Sequence, residues 1–499
     1  MASLSDRLLN TIEQAGNRLP HPTLLFIYLC VLVLVISAVA AALNVSAEHP
    51  KSGDSIYAVS LLTAEGTALM LTKTVSSFTQ FAPVGTVLVA MLGLGVAERS
   101  GLIGVLLGGL VRRAKGHLLT FFVVFTGVMS SLAADAGYVV QIPLAALLFQ
   151  AAGRHPLAGI AAAFAGVSGG YSANLLLGPF DAILAGISTE AARLVEPEYS
   201  VSIAANYWFM IASVFLVSVL ATVVTARWTE PRLANIPVDS TNLTQSDETR
   251  SAEEAFNDSR GLTAAALISV IISLFFLSGI YTEDAWLRQG TDITKSPFMK
   301  GIVVVISLLA LLCGYVFARF SGRWQSNNEL IKAMEYSMSG MAGYLVLMFF
   351  AAQFVAWFSW SQLGLISAIM GAEFLTALEA PPVVLLLVFV LIAALINLLI
   401  GSGSAKWTLL APVFVPMLML VGIAPETAQV AFRIGDSSTN IITPLMPYFG
   451  VVLAFAQRYR SDLGIGTVMA MMLPYSMAFL IGWSAMLVVW ISAGWSLGL

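Results

Sequence analysis

The stretch Arg433 to Pro447, RIGDSSTNIITPLMP, lies between apolar segments long enough to sit in a membrane, and its reading decides the fold. It carries an arginine and an aspartate three residues apart, then a run of small hydroxyl and amide residues, then two prolines. A charge inside a bilayer is costly and by default marks a functional position. A helix interrupted there by glycine, serine and proline exposes backbone groups that protein, water or a ligand must satisfy.

The rest of the chain supports a membrane setting. Of 499 residues, 58% are hydrophobic and 10% charged, with a mean hydropathy of +0.87. A soluble enzyme carries about a quarter charged residues. The net charge of −4, with basic residues spread along the chain, speaks against a nucleic-acid partner. Cys30 and Cys313 lie inside apolar runs and read as small hydrophobes. The histidines fall at segment ends or in loops without ligand spacing, so no transition-metal centre is expected. No HExxH pattern occurs, so the chain does not read as an enzyme. The first apolar run, from 22 to 44, reads as an uncleaved first span, because it is too long for a signal peptide and follows Asp6 and Glu13.

Scanning for spans of about 20 apolar residues gives an all-α integral membrane protein. About nine transmembrane helices are expected, with two opposed re-entrant hairpins and broken helices at the midplane. Residues 1–115 are N-terminal scaffold helices, with a polar loop up to Phe81 and one long helix over 83–111. Residues 116–190 are a first core repeat, whose hairpin breaks at SSLAADAG and whose crossing helix breaks at SGGYSANLLLGP. Residues 191–380 are further scaffold helices, with a hydrophilic linker over 227–260. Residues 381–457 are the second core repeat, with hairpin tip GSGSAKW and the opening stretch, and 458–499 hold the last helix. With the N-terminus in the cytoplasm, basic residues such as Arg112, Arg113, Arg154, Arg319 and Arg458 fall inside and fewer, such as Lys51 and Arg193, outside.

The two core segments align. Tyr138 and Pro143 match Trp407 and Pro412, Asp135 matches Ser404, and Pro156 matches Pro425. Ser172-Ala173-Asn174 then matches Ser438-Thr439-Asn440. The first hairpin opens inside and the second outside, so the repeats are inverted, the architecture of secondary transporters. Broken helices bring unpaired N–H ends, which attract anions, and unpaired C=O ends, which attract cations, to one point in the bilayer.

At SAKW and RIGDSSTN the chain resembles the p-aminobenzoyl-glutamate transporter (AbgT) family, which includes YdaH- and MtrF-type proteins, and the likeness covers nearly the whole chain. The resemblance implies a homodimer in the bacterial inner membrane, each subunit having an outer scaffold and an inner transport core. It implies cation-coupled handling of p-aminobenzoyl-glutamate, and efflux, by antiport, of sulfonamide antimetabolites. It carries functional roles onto Asp181, Ser404, Trp407, Pro425, Arg433, Asp436 and Pro444.

The residues themselves leave alternatives. Arg433 and Asp436, at i and i+3, either neutralise each other or leave Arg433 to grip a substrate carboxylate with two hydrogen bonds. Asp436 then competes for that arginine or carries a coupling proton. Asp181 is a proton-relay candidate or a hydrogen-bonded structural aspartate. Ser402, Ser404, Ser438 and Asn440 on one side and Asp135, Ser172 and Asn174 on the other form two oxygen-rich sets, read as sodium sites or as packing of the breaks. Trp407 stacks on an aminobenzoyl ring or belongs to an interfacial belt, Asn397 lines the site, and Lys406 reaches water by its long stem or makes a second anion contact. The expected function is cation-coupled transport of p-aminobenzoyl-glutamate or sulfonamide-type aromatic anions, with bound sodium the sole cofactor considered. A sodium symporter of small dicarboxylates is the alternative within transport, and a static pore the alternative outside it.

Overall fold

Where no water is at hand to satisfy backbone groups, helix is the form this composition allows. The computed structural model describes residues 22–48, 53–112, 117–133, 137–234, 236–237, 252–290, 296–443, 446 and 448–499. Among these residues the chain is helical apart from turns and one small antiparallel pair, Ser46–Glu48 with Ser55–Tyr57. Eight helices among the described residues are long and apolar enough to cross a membrane. Setting aside Gly403–Leu420, which is one arm of a hairpin, and adding the two broken helices gives the nine crossings expected.

The first hairpin has arms His117–Met129 and Ile142–Ala151. The first broken helix runs from Pro156–Phe164 through a widened turn, Ala165–Gly169, and resumes as Pro179–Ala192. The second hairpin has arms Pro382–Asn397 and Gly403–Leu420, and the second broken helix has arms Pro425–Asn440 and Phe449–Gln457. Pro156, Pro179, Pro382 and Pro425 all stand in the first turn of their helices, where a missing N–H is harmless and a fixed φ helps nucleation. Each broken helix lies hard against its own hairpin. A Cβ on Gly166 would come 2.4 Å from the Val124 carbonyl oxygen, and one on Gly435 would come 2.3 Å from that of Val390. The largest apolar cluster runs through both repeats, from Phe149 and Phe164 to Phe389 and Phe432. A second cluster joins Phe26, Leu61, Phe81 and Phe354.

The structure departs from the sequence reading in four places. The polar loop before Phe81 contains a helix, Ala64–Thr79, capped by Thr63. Its hydroxyls, at Thr67, Thr72, Thr74 and Thr79, bond back to the preceding turn, so they decorate a helix rather than break it. The long second span is two helices, Ala82–Arg99 and Leu102–Arg112, parted at Gly101, whose φ of +84° favours glycine. A helix the sequence reading left unassigned occupies Leu363–Ala377. The expected linker over 227–260 is helical at both ends, through Glu230–Leu233 and the start of Ala252–Ser278, while 238–251 lie outside the described residues.

Candidate functional site

The arm Pro425–Asn440 puts Arg433 and Asp436 on one helix face, where they are neighbours. They do not pair with each other. Arg433 Nη2 lies 2.6 Å from Asp181 Oδ1 and donates to the Ser172 carbonyl at 2.6 Å. Asp436 Oδ1 lies 2.5 Å from Lys406 Nζ. All four residues are buried, none above 4% exposed, so two ion pairs sit side by side in the protein interior.

Local structure holds each member. Asp181 stands in the first turn of Pro179–Ala192, and its Oδ2 accepts the Gly178 N–H at 2.8 Å, where the helix dipole also favours a carboxylate. Lys406 stands in the first turn of Gly403–Leu420, directed at Asp436 and donating to Asn397 Oδ1. The expectation that Lys406 reaches water is therefore corrected: an anionic partner and the carbonyl end of Pro425–Asn440 draw its charge inward. Asn397, at the end of the other hairpin arm, directs its Nδ2 at the Asp436 carbonyl, Thr439 Oγ1 and Asn440 Oδ1, at 2.6, 2.8 and 2.9 Å. The hairpin is thus tied to the end of the helix arm beside it.

Trp407 is fully buried, stacks on Phe432 at 4.6 Å and donates its indole N–H to Ser188 Oγ at 3.0 Å. From there a chain of bonds runs through Ser188 to Gln429 and from Gln429 to Asn206, whose amide reaches the Glu426 carbonyl. In the loop beyond, the Tyr199 hydroxyl donates to the Glu426 carboxylate at 3.0 Å, and burial together with that carboxylate holds the phenol above its ordinary range.

The remaining candidates are dispersed around these pairs. Ser402 caps Gly403–Leu420 through the Ala405 N–H, with its Oγ 3.4 Å from that of Ser404. Ser438 donates to the Ile434 carbonyl, and Asn440 to the Ser168 carbonyl across the repeats. Asn174 donates to Ser131 of the first hairpin at 2.9 Å, and the Ser172 N–H donates to Ser437. Among the described residues the buried Ser172 Oγ, Asn174 Oδ1 and Arg433 Nε find no hydrogen-bond partner. Pro425 opens its helix as expected, whereas Asp135 and Pro444 lie outside the described residues.

Sequence reading missed Ser188, Asn206 and Gln429, whose partners are over 200 residues away. The available signal was Gln429, an amide one helical turn before Arg433 on the same face. It also missed Phe180 and Tyr171, which flank the first break and touch each other edge to face.

Comparison with known proteins gives concordant results. The profile of the "AbgT putative transporter family" matches residues 7–499. The chain is 36% identical to the p-aminobenzoyl-glutamate transport protein of Escherichia coli (strain K12), over all of this chain and 97% of that one. Its fold is similar to that of the Alcanivorax borkumensis YdaH transporter, a crystal structure with an unusual topology, at TM-score 0.91 and 55% identity, covering 96% of this chain and 100% of the other. It is similar also to Neisseria gonorrhoeae MtrF, which illuminates a class of antimetabolite efflux pumps, at TM-score 0.89 and 46% identity over 97% of each chain.

Proposed function

The chain belongs to the AbgT family and is a multi-pass membrane transporter, and from that premise we propose that it moves p-aminobenzoyl-glutamate, by a carboxylate exchange at Arg433, and with it sulfonamide-type antimetabolites. The observation that carries this reading is the buried pair Arg433–Asp181, which joins the second repeat to the first. A guanidinium binds carboxylates in a two-pronged grip, so a substrate carboxylate is a direct rival of Asp181. Once displaced, Asp181 is a buried carboxylate without its cation, and such a group takes up a proton. Substrate binding and proton uptake are thereby coupled. Asp436, by contrast, is occupied by Lys406, which removes it from competition for the arginine.

Sodium is the second coupling ion in this proposal. Its oxygens come from Ser402, Ser404, Ser438 and Asn440 on one side and Asn174 on the other, hard ligands spread over the hairpin turn and the breaks. Residues 116–190 and 381–457 act as a core that moves against the remaining helices, in a homodimer of the bacterial inner membrane with a cytoplasmic N-terminus.

Uptake and efflux of labelled p-aminobenzoyl-glutamate and a sulfonamide in proteoliposomes, with sodium and pH gradients imposed separately, test this reading. Arg433→Lys keeps the charge but loses the fork, and p-aminobenzoyl-glutamate transport is expected to fall about tenfold or more, the worth of a charge-assisted hydrogen bond. Wild-type transport by Arg433→Lys contradicts the exchange.

A further inference from the structure

Trp407 does not offer a face to a ligand, since Phe432 and Ser188 already hold it in the interior. Aromatic rings with access lie at the first break. Phe180, beside Asp181, and Tyr171, beside Ser172, are both half-buried and meet edge to face at 5.1 Å and 65°. The Phe180 ring centroid lies 5.9 Å from Arg433 Cζ, which sets an aromatic surface next to the cation. Across from it, Gly403 at the turn of the second hairpin packs closely against the Phe180 ring. A methyl there would come 3.1 Å from the Phe180 ring and 3.4 Å from Asp436 Oδ2. Two polar atoms beside this surface, Ser172 Oγ and Arg433 Nε, belong to residues only 1% exposed and have no hydrogen-bond partner among the described residues. Buried polar groups are normally satisfied, so orphans flanking an aromatic surface point to a ligand that supplies the missing partners.

We infer that Phe180 and Tyr171 form the wall that receives the aryl ring of the substrate, while Arg433 takes its carboxylate. The inference rests on the transport reading above and assigns the ring to the first repeat. In an aminobenzoyl amino acid an amide and one carbon separate ring from carboxylate, a short span that suits an aromatic wall adjoining a guanidinium. Ser172 Oγ is then beside the substrate's amide. A sulfonamide, which has the ring and no carboxylate, uses the wall without needing the arginine.

Competition binding on the purified full-length protein separates the two contacts, using p-aminobenzoyl-glutamate, N-acetylglutamate, which lacks the ring, and sulfanilamide, which lacks the carboxylate. Phe180→Leu is expected to weaken p-aminobenzoyl-glutamate and sulfanilamide by about two- to tenfold, the range for an aromatic pair, and to leave N-acetylglutamate unchanged. Phe180→Tyr restores both aryl ligands, Tyr171→Leu repeats the loss, and Arg433→Lys does the reverse, weakening the two carboxylates and sparing sulfanilamide. Unchanged aryl binding in Phe180→Leu and Tyr171→Leu overturns the wall. So does a proportional loss of all three ligands, or an aryl preference abolished by Trp407→Phe alone. A wild-type protein that binds no p-aminobenzoyl-glutamate overturns the substrate reading itself, a different result from retained aryl preference in the variants.

Discussion

In the first broken helix the buried charge of the site stands after the break, on Asp181 at the start of Pro179–Ala192. In the second, two buried charges stand before it, on Arg433 and Asp436 near the end of Pro425–Asn440, where the aligned positions of the first repeat hold Val167 and Gly170. The resulting pairs differ in reach. Lys406–Asp436 closes the second repeat on itself, while Arg433–Asp181 spans the repeats. The difference suggests separate tasks: a pair within one repeat can persist while the repeats move, but a pair between them is exposed to exchange when a substrate enters.

The comparison can be broken most forcefully at the pair inside the repeat. Lys406→Met leaves Asp436 buried without its cation and is expected to destabilise the protein by about 3–5 kcal/mol. Adding Asp436→Asn should recover most of that loss, measured as thermal unfolding in detergent with and without p-aminobenzoyl-glutamate. The coupling between the two substitutions should be the same in both conditions, and a coupling that vanishes with ligand would make this pair the exchanging one.

A smaller effect tests whether the repeats share a packing rule. Gly435→Ala and Gly166→Ala each drive a methyl toward a carbonyl of the adjoining hairpin arm, and each is expected to cost about 1–3 kcal/mol, the range for overpacking. Costs that differ by more than that range would show that one repeat packs loosely. The smallest effect distinguishes the two amides. The two N–H donors of Asn397 are shared among three acceptors and its Oδ1 accepts from Lys406, whereas Asn174 makes one hydrogen bond, so at about 1 kcal/mol per hydrogen bond Asn397→Ala should lower unfolding stability more than Asn174→Ala. Equal losses would remove Asn397 as the tie between hairpin and helix.

How much of this was legible follows from the range of each interaction. Hairpins, breaks and the repeat were readable because hydropathy, proline and glycine act locally, and the helix starts at Pro156, Pro179, Pro382 and Pro425 show it. Ala64–Thr79 was not readable, because its hydroxyls look like loop residues until their bonds to the preceding turn are seen. The site was half legible. Arg433, Asp436 and Asp181 announced themselves as charges in apolar surroundings, but local spacing offered Arg433 a partner at i+3, whereas the fold supplies one 252 residues away. Lys406 misled for a similar reason, since a lysine near a polar turn reads as solvated unless the fold sets a buried anion against it.

The central claim is that the substrate's carboxylate takes Arg433 from Asp181, and the most direct measurement is the affinity for p-aminobenzoyl-glutamate as a function of pH in the wild type and in Asp181→Asn. Protonating Asp181 releases the arginine, so wild-type binding should tighten on acidification, with a proton taken up as the ligand binds. Asp181→Asn should bind at least as tightly as the wild type and lose the pH dependence. Weakened binding in Asp181→Asn, or a pH slope that survives the substitution, would contradict the exchange.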